Sequence, residues 1–456
     1  MWTIRLVVFV SILAAGCGGE DTCDPIANSG CDDNQACERV QDGEPICVAA
    51  MVVVGRVFDL ETNTGIGGAR IVALDANGAS MSFVATSAAD GTYTLPIPVL
   101  RTDGGAPAES FTITLRADAS GYLTFPAGIR PALPFDTSGA ALTDGRYEIT
   151  SALTDVALLK LPAGGPAVGT IKGRVAENST NASVLVVAEA AGLGHTAVAG
   201  RDGEYTVFNV PAGAASVQGY ARDHNYVANN VDVPAGGTVE ADLDVSVDAA
   251  STVSGTVSIV NGQLGVGTSV ILVVESTFNT AIARGETPPG LRAPEPGAAP
   301  TVNGAFSITG VPAGRYVVLA GFENDNLVRD ESGIGGTALV SQEVVAGQNV
   351  DIATGFKVTG SVDIVGPGAT SPEMVTGAPT FTWLDDSSED RYAITVFDSY
   401  GTIVWEAGTP KSVVTLPYAG PTLQAGLYYQ FRVASIKDPD TVISRSEDLK
   451  GVFFMP

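Results

Sequence analysis

Thr170-Ile171-Lys172-Gly173-Arg174-Val175, answered further on by Arg201-Asp202-Gly203-Glu204-Tyr205-Thr206-Val207 and then by Val210-Pro211-Ala212-Gly213, is the stretch on which the fold turns. Asp-Gly followed by alternating aromatic and β-branched residues is a hairpin signal, because the tight turn needs a positive φ and the aromatic then points into a core. The same pair of phrases stands upstream as Val53-Val54-Gly55-Arg56-Val57 and Ala89-Asp90-Gly91-Thr92-Tyr93-Thr94-Leu95. It stands downstream as Thr252-Val253-Ser254-Gly255-Thr256-Val257 and Val302-Asn303-Gly304-Ala305-Phe306-Ser307-Ile308, followed by Val311-Pro312-Ala313-Gly314. The strand after the breaker recurs as well, as Val217-Gln218-Gly219-Tyr220 and Tyr316-Val317-Val318-Leu319-Ala320. Three units with turn, breaker and strand in one order argue for a string of like sandwiches. From Met51 onward no long segment of 3.6-residue period asks for a helix, so the class is all-β.

Composition supports folded, exported modules. Only 16% of the 456 residues are charged and mean hydropathy is +0.23, so sizeable cores can form and disorder throughout is excluded. Fifty acidic against 24 basic residues give a formal charge of -26, which repels phosphate backbones and removes nucleic acid as a partner. The length is too great for one core and suits about three to five modules.

The repeated phrases resemble the carboxypeptidase regulatory-like family, a seven-stranded transthyretin-like sandwich related to collagen-adhesin B-type repeats and starch-binding-like folds. The resemblance covers most of residues 51–357. Its Gly-Ala-x-Val strand appears in the first unit as Gly68-Ala69-Arg70-Ile71-Val72-Ala73. The second and third units offer Ser183-Val184-Leu185-Val186-Val187 and Ser269-Val270-Ile271-Leu272-Val273-Val274, without the Gly-Ala pair. Some adhesin repeats carry a lysine isopeptide in a buried triad. No such triad can be placed here, and Lys172 reads as solvent-facing. The Pro-rich stretches Arg101–Pro107 and Thr287–Pro300, and the segment Phe125–Asp144, read as surface loops.

Past Val358 the rhythm changes. Pro379-Thr380-Phe381-Thr382-Trp383, Tyr392-Ala393-Ile394-Thr395-Val396-Phe397 and Leu423-Gln424-Ala425-Gly426-Leu427-Tyr428-Tyr429-Gln430-Phe431-Arg432-Val433 resemble the fibronectin type III pattern over about residues 360–456. The resemblance implies core roles for Trp383, Phe431 and Val433, and a Tyr429 whose hydroxyl bonds back to the backbone. Trp405 has no assigned place in that pattern and is the candidate sugar-stacking residue.

At the other end, Leu13-Ala14-Ala15-Gly16-Cys17 closes an apolar run that follows Arg5. It resembles a bacterial lipoprotein signal, although Ala14 stands where leucine is usual. The run is too short for a spanning helix, which needs about 20 residues. The resemblance implies cleavage before Cys17, lipidation of its thiol, and tethering to a membrane. Gly18 in place of aspartate then points to the outer membrane. The remaining cysteines, Cys23, Cys31, Cys37 and Cys47, form an even set in a stretch poor in apolar residues, which reads as two disulfides of open connectivity. Three pairings are possible. The segment is similar to small cysteine-rich modules that follow the anchor in bacterial lipoproteins. Zinc is disfavoured, since no close cysteine pair or nearby histidine occurs.

Candidate chemistry is sparse. The only histidines, His195 and His224, carry no metalloprotease, hydrolase-elbow or triad motif and read as exposed loop residues. With every thiol assigned to lipid or disulfide, a cysteine nucleophile is excluded, and no metal is assigned. Asp32-Asp33-Asn34, Glu323-Asn324-Asp325-Asn326 and Asp385-Asp386-Ser387-Ser388-Glu389-Asp390 are the stretches where structural calcium is conceivable, but none matches a calcium-loop motif, and each reads as a charged turn.

The expected organisation is a signal peptide at 1–16, a lipidated, disulfide-rich segment at 17–50, sandwiches at 51–165, 166–249 and 250–357, and a fibronectin type III-like sandwich at 358–456. The expected function is non-catalytic: an outer-membrane, lipid-anchored envelope protein without cofactors, serving adhesion, scaffolding or surface display toward glycans or envelope proteins. The competing expectation is carbohydrate binding through Trp405, or an accessory role beside a secreted hydrolase.

Overall fold

The computed structural model describes residues 23–25, 28–41, 43–126, 132–176, 184–200, 202–262, 265–280, 284–294, 298–321, 325–330, 339–353 and 355–456. Among them there are strands and two short 3₁₀ turns, and no α-helix. The chain is a tandem of β-sandwich modules behind a small disulfide-bonded segment.

Each repeated phrase becomes the same structural object three times. The opening strands Met51–Asp59, Val168–Arg174 and Ser251–Val260 are paired antiparallel with the hairpin strands Thr92–Pro96, Glu204–Pro211 and Gly304–Val311. On their other edges they pair in parallel with the late strands of their own units, Arg146–Ile149 and Val156–Leu158, Thr238–Glu240, and Val350–Asp351 with Phe356–Gly360. The last of these carries the third sandwich to Gly360, past the expected limit at residue 357. The facing sheets are built around Arg70–Leu74, Leu185–Ala190 and Val270–Val274, each antiparallel to Thr112–Asp118, Gly213–Tyr220 or Gly314–Ala320. Three separate apolar cores lie between these sheet pairs.

The register explains why the phrases recur together. Gly55 lies opposite Tyr93, Gly173 opposite Tyr205, and Gly255 opposite Phe306. A Cβ on Gly173 would stand 2.1 Å from the Ala241 carbonyl oxygen and 2.9 Å from the Tyr205 hydroxyl, and one on Gly55 2.0 Å from the Thr154 carbonyl and 2.9 Å from the Tyr93 hydroxyl. The tyrosines cross the space the glycines leave. Tyr93 donates its hydroxyl to the Thr154 carbonyl at 2.5 Å, and Tyr205 donates to that of Ala241. Both hydroxyls are pushed up in pKa by burial and remain donors. In the third unit, where Phe306 has no hydroxyl, a Cβ on Gly255 would meet the ring itself at 2.8 Å.

The C-terminal module packs a three-stranded sheet (Ile364–Gly366, Thr380–Trp383, Thr415–Pro417) on a larger one. The larger sheet runs Glu373–Met374, Val452–Phe454, Tyr428–Lys437, Arg391–Asp398, Ile403–Pro410, with Thr441–Arg445 also on Tyr428–Lys437. Phe381 and Phe431 stack at 4.4 Å in its core, and Trp383 is 1% exposed. Tyr429 is buried, and its hydroxyl accepts the Gln424 backbone N–H at 2.8 Å.

Of the three possible pairings the structure has Cys23–Cys37 and Cys31–Cys47. The segment does not rest on its bridges alone. Ala36 and Ala50 pack on Val52 of the first sandwich, and the guanidinium of Arg101, buried with Glu38, forms an ion pair with it and donates to the Ala49 carbonyl at 2.9 Å.

Because the methyl group of alanine meets a backbone carbonyl that cannot swing aside, Gly173→Ala is expected to cost about 1–3 kcal/mol. A lowered denaturant midpoint for the second module checks this, and an unchanged midpoint would refute the packing argument.

Candidate functional site

The sequence-derived candidates scatter. Cys17 lies outside the described residues. The sulfurs of Cys23, Cys31 and Cys47 lie within 4.8 Å of one another, but each is in a disulfide, so no thiolate is available to a metal. Lys172 is exposed. His195 departs from expectation: it sits half-buried on the strand Leu193–Val198 opposite Ala188, not in an exposed loop, and burial lowers its pKa. Its Nε2 is buried without a hydrogen-bond partner among the described residues. The small residues around His195 hid this from the sequence, since Gly192-Leu193-Gly194 reads as a loop.

Trp405 is half-buried on the strand Ile403–Pro410. Its ring meets Tyr418 edge-on at 4.9 Å and lies 6.2 Å from Phe381, so much of the indole closes the rim of the C-terminal core. A Cβ on Gly420 would come within 2.8 Å of the indole Cδ1, which leaves that side of the ring covered by backbone. On the same sheet, Arg391–Ala393, Ala407–Pro410, Asp390 and Asp438 line an open groove of about 520 Å³.

The acidic stretch 385–390 is tied up by its own chain. Asp386 accepts from the Ser388 hydroxyl at 2.7 Å and from the Ser435 hydroxyl at 2.7 Å, Asp385 from the Tyr392 hydroxyl at 2.9 Å, and Glu389 from the Ser412 N–H at 3.0 Å. These are the bonds of a charged turn.

The strongest polar constellation is one the sequence did not single out. Arg116 and Asp118 alternate with the core residues Leu115 and Ala117 on the strand Thr112–Asp118, a pattern that predicts a solvated outer face. That face is covered. Arg116 is 1% exposed, bonds Asp118 at 2.9 Å, donates to the Thr196 hydroxyl of the second sandwich at 2.8 Å, and pairs with Glu286 of the third. Burial alone would lower its pKa. The carboxylates of Asp118 and Glu286 more than reverse this, so the guanidinium stays charged.

Further contacts join the same modules. Asn209 of the second sandwich donates to the Ala119 and Tyr122 carbonyls of the first, and Thr287 of the third donates to the Asn77 carbonyl. Tyr220 and Tyr316 meet edge-on at 6.0 Å across the second and third. The C-terminal module touches the first through Phe58 and Tyr400, 5.6 Å apart, and the third through Arg284 and Asp448. The first sandwich therefore contacts modules that do not follow it in sequence, which a simple end-to-end string would not do. Nothing in the local sequence around Arg116 or Glu286 signals this, because the partners are supplied by chains about 80 and 170 residues away.

Removing Arg116 leaves the buried Asp118 and the half-buried Glu286 without the cation between them. Arg116→Met is expected to destabilise the junction by about 3–5 kcal/mol and to expose the inter-module linkers to protease before any module unfolds. Equal protease resistance of variant and parent would show that the junction is not held by this charge.

No protein-family model matches the chain, and no curated protein matches it. Among solved structures, two B repeat units of the collagen-binding protein of Staphylococcus aureus align over 89% of this chain and 99% of theirs, at 11% identity and a TM-score of 0.17. The streptococcal ancillary pilin aligns over 68% and 99%, at 14% identity and a TM-score of 0.17. A DUF3823 family protein from Bacteroides uniformis aligns over 45% and 100%, at 14% identity and a TM-score of 0.21. Similarity at this level carries no functional argument, and the all-β tandem architecture rests on the sheets and cores themselves.

Proposed function

We propose that this is a non-catalytic protein of the cell envelope, tethered through a lipidated Cys17, whose sandwiches lock together to hold a binding or scaffolding surface in fixed geometry. The observation that carries the reading is the use of buried charge: Arg116 with Asp118 and Glu286, and Arg101 with Glu38, each join one module to another. Buried ion pairs need several partners to offset desolvation, and here those partners come from different modules. Such pairs fix relative orientation, which is what a display platform requires and a loose tether does not.

The sequence features at the N-terminus support the anchor and the outer-membrane destination. The order of strands in the C-terminal module, its buried Trp383 and the Tyr429–Gln424 bond support a fibronectin type III-like assignment for residues 358–456. Surface glycans and other envelope proteins are the partner classes this reading allows.

Expression of the full chain in a Gram-negative host with labelled palmitate tests the anchor. Label and membrane association are expected in the parent and lost in Cys17→Ser, and label retained in that variant would sink the lipoprotein reading. Detergent-solubilised parent protein on a glycan array tests the alternative. Binding abolished by Trp405→Ala, with unfolding midpoint kept, would replace the scaffold reading by a carbohydrate-binding one.

A further inference from the structure

The two disulfides of the N-terminal segment are not independent of each other. Cys37 and Cys47 are directly opposite in the antiparallel ladder of Gln35–Glu38 and Ile46–Ala49, so their side chains leave the same face. Each is bonded back to a cysteine of the loop before the ladder, Cys37 to Cys23 and Cys47 to Cys31, with Cα separations of 5.7 and 5.5 Å. The sulfurs of Cys23, Cys31 and Cys47 lie within 4.8 Å of one another, and that of Cys37 is bonded to the first of them. All four sulfurs of the segment therefore occupy one cluster. No close pair in the sequence announces it, because the ladder and the loop supply the proximity that a C-x-x-C spacing would otherwise give.

Contacts other than the bridges hold these positions. The ladder docks on the first sandwich through Ala36, Ala50 and Val52, and Arg101 pairs with Glu38 on its first strand. The Gln41 N–H donates to the Arg101 carbonyl at 2.8 Å, and the Arg101 N–H to the Arg39 carbonyl at 3.0 Å. In the loop, Asp24 and Ser29 exchange backbone hydrogen bonds at 3.0 and 3.1 Å, and the Asn28 side chain accepts the Cys37 N–H at 2.9 Å. Cutting the bridges thus frees the sulfurs and leaves this frame in place.

Four clustered thiolates are a donor set for tetrahedral zinc, which takes sulfur at about 2.3 Å and so spaces its ligands about 3.8 Å apart. A shift of about 1 Å brings sulfurs 4.8 Å apart to that spacing. We propose that the segment is a redox-gated zinc site: bridged, it binds no metal, and reduced, Cys23, Cys31, Cys37 and Cys47 hold one zinc ion that takes over the cross-linking of both disulfides. Each bridge accepts two electrons and two protons from a dithiol, which is itself oxidised to a disulfide, and the four thiols release their protons to water as they bind the metal. Thiolate donors select zinc against the hard cations magnesium and calcium. The inference concerns the sulfur chemistry of this segment alone, and it stands whether or not Cys17 is lipidated.

The test uses the detergent-solubilised full chain carrying Cys17→Ser, so that the four cysteines are its only thiols. It is reduced with a phosphine, which adds no competing thiol, and titrated with cobalt(II) as a coloured stand-in for zinc. The intense visible bands of a tetrahedral cobalt thiolate are expected to saturate at one ion per chain and to vanish on adding zinc, while the same protein left oxidised gives none. Replacing two ligands, in Cys31→Ser with Cys47→Ser, is expected to abolish the bands. A second readout needs no such variant: zinc is expected to slow alkylation of all four thiols of the reduced chain by iodoacetamide, read by mass spectrometry. Equal cobalt uptake by the oxidised chain, only the pale bands of an octahedral ion, or thiols alkylated at one rate with and without zinc would overturn the site.

Discussion

The rest of the architecture depends on a glycine facing an aromatic ring across one antiparallel ladder. At Gly55, Gly173 and Gly255 the absence of a side chain lets Tyr93, Tyr205 and Phe306 lie across the opening strand into the core. The two tyrosine hydroxyls then reach carbonyls close to the late strands, Thr154 and Ala241. A single residue type thereby ties the first strand, the hairpin and the closing segment of a module together. Without it the late strands, which pair in parallel and arrive after a long stretch of chain, would have only their own short ladders to hold them.

That constraint is why so much of the fold was legible. Gly-x-Val and Asp-Gly-x-Tyr each encode a local feature, and their repetition in one order gave the sandwiches before any long-range contact was known. The resemblance to the fibronectin type III pattern after Val358 implied core roles for Trp383 and Phe431, and both are buried in the core. The legibility ends where one module covers another. Arg116-Ala117-Asp118 has the alternation of a solvated face, and it is buried only because Thr196 and Glu286 arrive from elsewhere. His195 escaped notice for the same reason: a residue's exposure at a seam is decided by its neighbour's surface, and that surface leaves no periodicity in the residue's own strand. The disulfide pairing, open among three choices in the sequence, is Cys23–Cys37 and Cys31–Cys47: Cys37 and Cys47 lie opposite each other in the ladder, and each bonds a cysteine from the preceding loop.

The seams around the first sandwich are made of different material from the cores. The cores are Val, Ile, Leu and aromatic residues, and that of the third sandwich runs on into Leu185, Val187 and Tyr220 of the second, whereas the seams with the first sandwich combine small apolar patches such as Val72, Leu74 and Val198 with buried ion pairs and side-chain amides. Apolar burial is indifferent to orientation, while a guanidinium that must meet two carboxylates and a hydroxyl accepts few. In a chain with a formal charge of -26, arginines at the contacts also offset the general repulsion between acidic modules.

In all four sandwiches an early strand lies parallel to a late one: Met51–Asp59 beside Val156–Leu158, Val168–Arg174 beside Thr238–Glu240, Ser251–Val260 beside Phe356–Gly360, and Glu373–Met374 beside Val452–Phe454. The entering and leaving ends of each such pair point in opposite directions. A mechanical load entering at one end of a module and leaving at the other therefore acts along the strand axis and strains all the hydrogen bonds of the pair together, where an antiparallel pair pulled from adjacent ends opens one bond at a time. Tension across any one of these modules would thus meet a strand pair in shear before it met a hairpin to unzip.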